Sequence, residues 1–208
     1  MRTFDPGRGS FYGVYRACRD AAWRCQLEFG VDRLPVKVTG ITKRAGIRVV
    51  RNADVDELRD GELAVSICDG GSWTVIYDDR LDVSMVRFVT AHELGHIFLG
   101  HDYRMGEMRF AFGGGKLACE SEADMFAMRL LSPAFALHEL GLREAPEIAA
   151  VCGIPMVQAC ERARRMAVLE RRGSFYKDPM ERKLLERFWP WLRRMGCKEA
   201  DKPVFRRL

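Results

Sequence analysis

The sequence predicts an α+β fold: a small sheet packed on a helical core that is built around one apolar helix, followed by a helical C-terminal extension. Three observations carry this. The run RFVTAHELGHIFLGH, Arg87 to His101, is apolar almost throughout and ends at Gly100, as a buried helix would. Just ahead of it, Leu63 to Cys68 and Trp73 to Tyr77 are short β-branched and aromatic runs separated by Asp69-Gly70-Gly71-Ser72, a hairpin signal. From Leu117 onward, apolar residues recur at helical spacing between Pro and Gly punctuation, with no strand pattern.

Taken in order, Ser10 to Phe29 reads as a helix with Ser10 as N-cap and Gly30 as stop. Its apolar positions, Val14, Ala17, Cys18, Ala21, Ala22, Cys25 and Phe29, share one face. Leu34-Pro35 breaks the chain. A short helix over Val38 to Arg44 ends at Gly46, Ile47 to Arg51 is a strand, and Asp54 to Arg59 is a short helix or turn. Asp82 can cap the long apolar helix. The stretch Asp102 to Lys116 reads as a loop and a candidate lid, ending in Gly113-Gly114-Gly115. Helices are then expected over Leu117 to Leu131, Pro133 to Leu140 (capped by Ser132), Pro146 to Cys152, Pro155 to Glu170 and Pro179 to Met195. This divides the chain into a core over residues 1–140 and a helical, basic region over residues 141–208.

At 208 residues, with 48% apolar and 30% charged residues, the chain suits one soluble core. It has no apolar run near the ~20 residues of a membrane span. The start, MRTFDPGRGS, lacks an apolar signal region, so a cytoplasmic protein without membrane contact is expected. Seven scattered cysteines and no C-x-x-C argue against a disulfide framework or a thiolate metal site. The net charge of +5 is uneven. Residues 161–208 carry 15 Lys+Arg against 7 Asp+Glu, so this quarter could make a weak nucleic-acid contact or simply present a solvated face.

The chemistry concentrates in His92-Glu93-Leu94-Gly95-His96. On a helix, residues four apart share a face, so His92 and His96 can aim two imidazoles at one Zn²⁺ ion. Glu93 can flank the metal as a general base without ligating it. The bland alternative is a buried helix with two satisfied histidines. Gly95, whose smallness lets other groups approach, and the packing of three of the four histidines between His92 and His101 weigh against it.

A catalytic zinc usually takes a third protein ligand. A further histidine six residues after His96 would be needed for one known pattern, but that position is Asp102. Glu120-x-x-x-Asp124 offers an alternative: Glu120 as ligand, with Asp124 one turn on to accept the free N–H of a zinc histidine. Glu120 is favoured over Glu122, which faces elsewhere on the helix. His101 and Tyr103 follow the helix end, and either could stabilise an oxyanion.

These motifs together, RFVTAHELGHIFLGH, ESEADMFAMRLLSP and EIAAVCGIPMVQACERARRM, resemble the ImmA/IrrE-type zinc metallopeptidases over about Leu34 to Glu170. The resemblance implies a gluzincin-like α+β core, with His92, His96 and Glu120 as zinc ligands and Glu93 as base. It also implies cleavage of intracellular regulators, notably helix-turn-helix repressors of mobile elements or stress genes. Pro155 stands where that family often has Ser, and no helix-turn-helix domain precedes the protease. Glu147 to Met166 has some helix-turn-helix character of its own, with Gln158, Glu161, Arg162, Arg164 and Arg165 on the second helix. The bland reading of that pair is helical packing on the core. The rival function is a metal-bound regulator that binds DNA or a repressor without cutting it.

Overall fold

A computed structural model describes residues 11–101, 107–111 and 118–198. Among the described residues, eight α-helices and four strands follow one another as α1 (Phe11–Glu28), α2 (Val38–Ala45), β1 (Arg48–Arg51), β2 (Glu62–Asp69), β3 (Ser72–Tyr77), α3 (Val83–Leu99), β4 (Glu107–Ala111), α4 (Ala118–Leu131), α5 (Ala134–Glu139), α6 (Ala145–Cys152), α7 (Met156–Arg171) and α8 (Pro179–Arg194). The protein is thus α+β and mostly helical. No described helix is long and apolar enough to cross a membrane.

The helix α3 is the axis of the fold. Every residue from Phe88 to Leu99 is buried, histidines and glutamate included. A helix that is apolar on all sides can only sit inside the molecule. Its ends are fixed locally. The Asp82 carboxylate accepts from the backbone N–H groups of Ser84 and Met85, and Gly100 adopts the left-handed conformation (φ 73°) that closes the last turn. Arg87, near its start, donates to the carbonyls of Val36, Cys152 and Gly153, which ties α3 to the C-terminal end of α6.

The sheet has the order β1-β3-β2-β4, with β1 parallel to β3 and the other pairs antiparallel. The β2–β3 hairpin pairs Asp69 with Ser72, so Gly70 and Gly71 alone form the turn. Their φ angles of 54° and 82° are why glycines stand there.

Four expectations from sequence need correction. A strand just ahead of the His92–His96 helix could be the sheet edge that holds an extended peptide, and Trp73 to Tyr77 is the sequence's candidate for it, but it is interior: β3 lies between β1 and β2. The stretch read as a loop after His101 contains the strand β4, which pairs with β2 and forms one edge of the sheet, β1 forming the other. Asp54 to Arg59 is neither helix nor regular turn; a short 3-10 turn over Asn52–Asp54 precedes it, and the Asn52 side-chain carbonyl accepts from Glu57 and Leu58 N–H. Ser132 does not cap α5. Its hydroxyl donates back to the Met128 carbonyl, and Pro133 takes the cap position. The candidate N-cap Ser10 and the glycine run at Gly113 lie outside the described residues.

One continuous core runs from Cys18 on α1 to Leu192 on α8. The C-terminal helix joins it through Leu184, Leu185, Phe188 and Leu192, with Phe188 edge-on to Phe135 of α5 at 5.1 Å between ring centroids. Asp178 caps α8 and also pairs with Arg19 of α1 at 3.1 Å. On α7, Arg162 is buried and Arg165 bonds to Tyr15 of α1, so two of the side chains a recognition helix would offer to DNA are turned inward.

Candidate metal centre

Two helices build the centre. His92 and His96 project from α3 one turn apart, and their Nε2 atoms face each other at 2.9 Å. Glu120, in the first turn of α4, places its carboxylate oxygens 3.3 Å from Nε2 of His92 and 3.4 Å from Nε2 of His96. Among the described residues, these three form the group of His, Cys, Asp and Glu side chains that could hold a metal ion, with ligand atoms all within 4.8 Å of one another. A tetrahedral ion with bonds of about 2.0–2.2 Å keeps its ligand atoms about 3.3–3.6 Å apart. The two histidine–carboxylate separations match this spacing, whereas the Nε2 atoms at 2.9 Å are about 0.4 Å closer than it and would part slightly around an ion; the donor set of two imidazoles and a carboxylate suits a divalent ion of the zinc class.

Gly95 lets α4 come this close. A methyl group added at Gly95 would stand 2.9 Å from Ala123 Cα and 3.1 Å from the Ala123 carbonyl oxygen, both backbone atoms of α4. Ala123 lies one turn after Glu120, so the contact that needs a glycine also sets how far Glu120 reaches.

Each histidine is held from behind. Nδ1 of His92 lies 3.0 Å from Oδ1 of Asp124, one turn beyond Glu120 on α4. Nδ1 of His96 lies 2.9 Å from Nδ1 of His101, whose Nε2 lies 3.1 Å from Oε2 of Glu122. Protons can be placed consistently. If Nε2 of each α3 histidine is the lone pair, His92 donates from Nδ1 to Asp124. His96 then donates from Nδ1 to His101, and His101 donates from Nε2 to Glu122. That chain needs a neutral His101. Burial, and then the field of His96, lowers the His101 pKa to about 4.

The same reasoning explains the other charges. Burial opposes a charge on His92, but bonds to Asp124 and Glu120 outweigh it and raise its pKa to about 9 without a metal. Burial works against ionised Glu120 too, yet both histidines hold it down to about 2. A metal cation would replace the proton shared in this cluster.

Glu93 is fully buried, and burial raises its pKa above that of an ordinary carboxyl. Its Oε2 accepts a 2.7 Å bond from the Ser66 hydroxyl of β2, whereas Oε1 is buried with no partner among the described residues. Ser66 pairs across the sheet with Met108 of β4, so the edge strand runs beside this carboxylate.

The structure thus brings His92, His96, Glu120 and Asp124 together with Glu93 alongside. His101 sits behind His96, against the ring nitrogen that faces away from the His92–Glu120 cluster. Tyr103 lies outside the described residues. Sequence reasoning missed Ser66 and the use of Glu122. Nothing marks Ser66 within its strand, but Glu122, two residues from Glu120, necessarily faces another direction, and His101 is what it meets. Cys119, beside Glu120, is half-buried with its thiol pushed up by burial, and it is not one of the three side chains whose donor atoms gather.

A comparison with curated proteins finds no match. The profile described as the IrrE N-terminal-like domain, a peptidase family, matches residues 42–164, from the end of α2 through most of α7. That span contains the whole His92, His96 and Glu120 cluster and more than half of the 208 residues, and the chain belongs to this family.

Proposed function

We propose that the protein is a zinc-dependent endopeptidase of regulatory proteins. The carrying observation is Glu93: a buried carboxylate anchored at one oxygen by Ser66, with the other oxygen free, beside a two-histidine, one-carboxylate cluster. A structural metal site has no use for such a group.

His92, His96 and Glu120 hold the ion, while Asp124 and the His101–Glu122 pair fix the two imidazoles. A zinc ion held there supplies Lewis acidity, acidifying water and polarising a carbonyl. Glu93 takes the proton of an attacking water at Oε1 and returns it to the leaving amine. Its raised pKa suits both halves of this exchange, because a strongly acidic carboxylate would bind the proton too weakly. Ser66 keeps the carboxylate from swinging away. His101 is assigned a positioning role here. The outer edge of β4 is the place where an extended peptide can add as a further strand. A helix-turn-helix repressor, the substrate class implied by the family likeness, is the proposed target.

The test pairs metal analysis with cleavage. The purified full-length protein should carry close to one zinc per chain, and Glu120→Ala should lose it. Glu93→Gln should keep the zinc and fail to cut a peptide library that the wild type digests, read by mass spectrometry. Undiminished cutting by Glu93→Gln, or undiminished zinc in Glu120→Ala, would overturn the assignment. A zinc-loaded wild type that cuts nothing but binds a repressor would favour a non-cleaving regulator.

A further inference from the structure

On the other face of α4, three helices gather guanidinium groups around one phenol. Tyr15 of α1 lies against Arg129 of α4, whose guanidinium carbon is 4.2 Å from the ring centroid, and against Arg165 of α7 at 4.7 Å. Arg165 also donates to the Tyr15 hydroxyl at 2.6 Å. Arg162 precedes Arg165 by one turn on the same face of α7. It is only 4% exposed, its Nε has no partner, and its guanidinium makes no hydrogen bond or ion pair among the described residues. Gln158, a further turn back, also buries its side-chain carbonyl with no partner.

Among the described residues, none of these three guanidiniums makes an ion pair with a carboxylate. Burial, and then the field of Arg129, pushes the Arg162 guanidinium down to about 10, so it is still a cation at neutral pH. Burial works to raise the Tyr15 phenol, but Arg129 and Arg165 outweigh it and hold it below its usual value, as a surplus of positive charge would. Glu181 of α8 lies within the field of Arg162 but makes no ion pair with it, and its Oε2 accepts from the Tyr176 N–H at 2.5 Å. A buried, unpaired charge beside two like charges is a costly arrangement to keep.

We propose that Arg129, Arg162 and Arg165 form a binding site for a tetrahedral dianion of the phosphate class, either inorganic phosphate or the phosphate group of an ester. Three guanidiniums call for more than one negative charge, and their forked N–H groups match phosphate oxygens in pairs. Tyr15, which accepts from Arg165, keeps its own proton to donate. The Gln158 amide, turned about its last bond, adds an N–H where its carbonyl now stands alone. Arg165 and Tyr15 are half-buried, so the cluster reaches solvent on their side. The site is separate from the metal centre and does not rest on the peptidase reading.

The test is calorimetric titration of the full-length protein with sodium phosphate and with glycerol phosphate, at matched ionic strength against sodium chloride. Melting curves are taken on the same samples. Wild type should bind one phosphate group saturably and melt at a higher temperature with it. Arg162→Met should lose the heat of binding and the melting shift, or bind at least about tenfold more weakly. In chloride it should melt no lower than the wild type, because it has shed an unpaired charge. Arg165→Gln, at the rim, is the second variant should Arg162→Met fail to fold, and the same loss is expected. Tighter binding of glycerol phosphate assigns the site to esters, and binding of inorganic phosphate alone assigns it to the free ion. Zinc content is measured in each protein, so phosphate held by a metal would show as an equal response in wild type and variants. Such an equal response, absence of binding, or a non-saturating rise shared by all proteins, as general salt exclusion gives, would each overturn the proposal.

Discussion

Gly95→Ala tests the central geometric claim, that the close crossing of α3 and α4 sets the metal site. The added methyl would stand 2.9 Å from Ala123 Cα, 3.1 Å from its carbonyl oxygen and 3.3 Å from its Cβ. Carbon–carbon contacts settle at about 3.5–4.0 Å. Since two of the three atoms are backbone, no rotamer change relieves the clash, and α4 must retreat by about 0.6–1 Å. Overpacking of this kind costs about 1–3 kcal/mol. Alanine recovers about 1 kcal/mol of helix propensity, so the net loss is about 0–2 kcal/mol, a fall in Tm of at most about 8 °C for a chain of this size. The metal should suffer more than the fold. Glu120 rides on the same face of α4 as Ala123, and metal sites tolerate ligand shifts of only about 0.2 Å. Zinc affinity, measured by competition with a chromophoric chelator, should fall at least about tenfold, comparable to the loss of an outer-sphere partner. The melt of the metal-free variant, followed by circular dichroism, shows whether it remains folded. A folded variant that binds zinc within about twofold of the wild type would refute the reasoning, because the crossing would then have slack.

Further outcomes follow from neighbouring contacts. Asp124→Asn and Glu122→Gln should each weaken zinc binding about 10- to 100-fold without unfolding the protein, read by the same competition; unchanged affinity in Glu122→Gln would remove His101 from its positioning role. Gly71→Ala forces a side chain onto a φ of 82° and should cost about 1 kcal/mol in a urea melt while leaving zinc binding unchanged. Glu181 gives a pH signature. Burial raises its carboxyl to about 7, above the ordinary 4.5, so between these values the folded state holds a proton that the unfolded chain has released. Stability should therefore fall as pH rises from about 4.5 to 7 and level off above, by about 3 kcal/mol at most. Glu181→Gln, which still accepts from Tyr176 N–H, should flatten that slope in urea melts at pH 5 and 8; an identical slope in both proteins would show that Glu181 ionises freely.

What could be read from the chain, and what could not, divides along a physical line. Spacing within one element is legible. His92 and His96 four apart, Glu120 and Asp124 four apart, Asp82 and Gly100 bracketing α3, and the Gly70-Gly71 turn all follow from helix or hairpin geometry. Partners on different elements are less so. The order β1-β3-β2-β4 joins strands that are not neighbours in the chain, and it puts Trp73 to Tyr77 inside the sheet. The strand β4 carried a short signal, Met108 and Phe110 alternating with Glu107 and Arg109, but its hydrogen bonds come from β2, some 45 residues earlier in the chain.

The histidine supports show this limit most closely. Asp124 was foreseeable because it shares a helix with Glu120, and that periodicity carries it to His92. His101 lies beyond Gly100, where the left-handed turn ends the helix and its spacing rule with it. The chain doubles back there, so His101 meets His96 and not the open side of the metal cluster. The spacing that sets Glu122 apart from the ligand position turns it toward His101. One helix, α4, therefore supplies the candidate ligand Glu120 and contacts to both histidines, one direct from Asp124 and one through His101. A shift of α4 should then be felt by all three ligands at once, which is why the glycine at its crossing with α3 matters more than its size suggests.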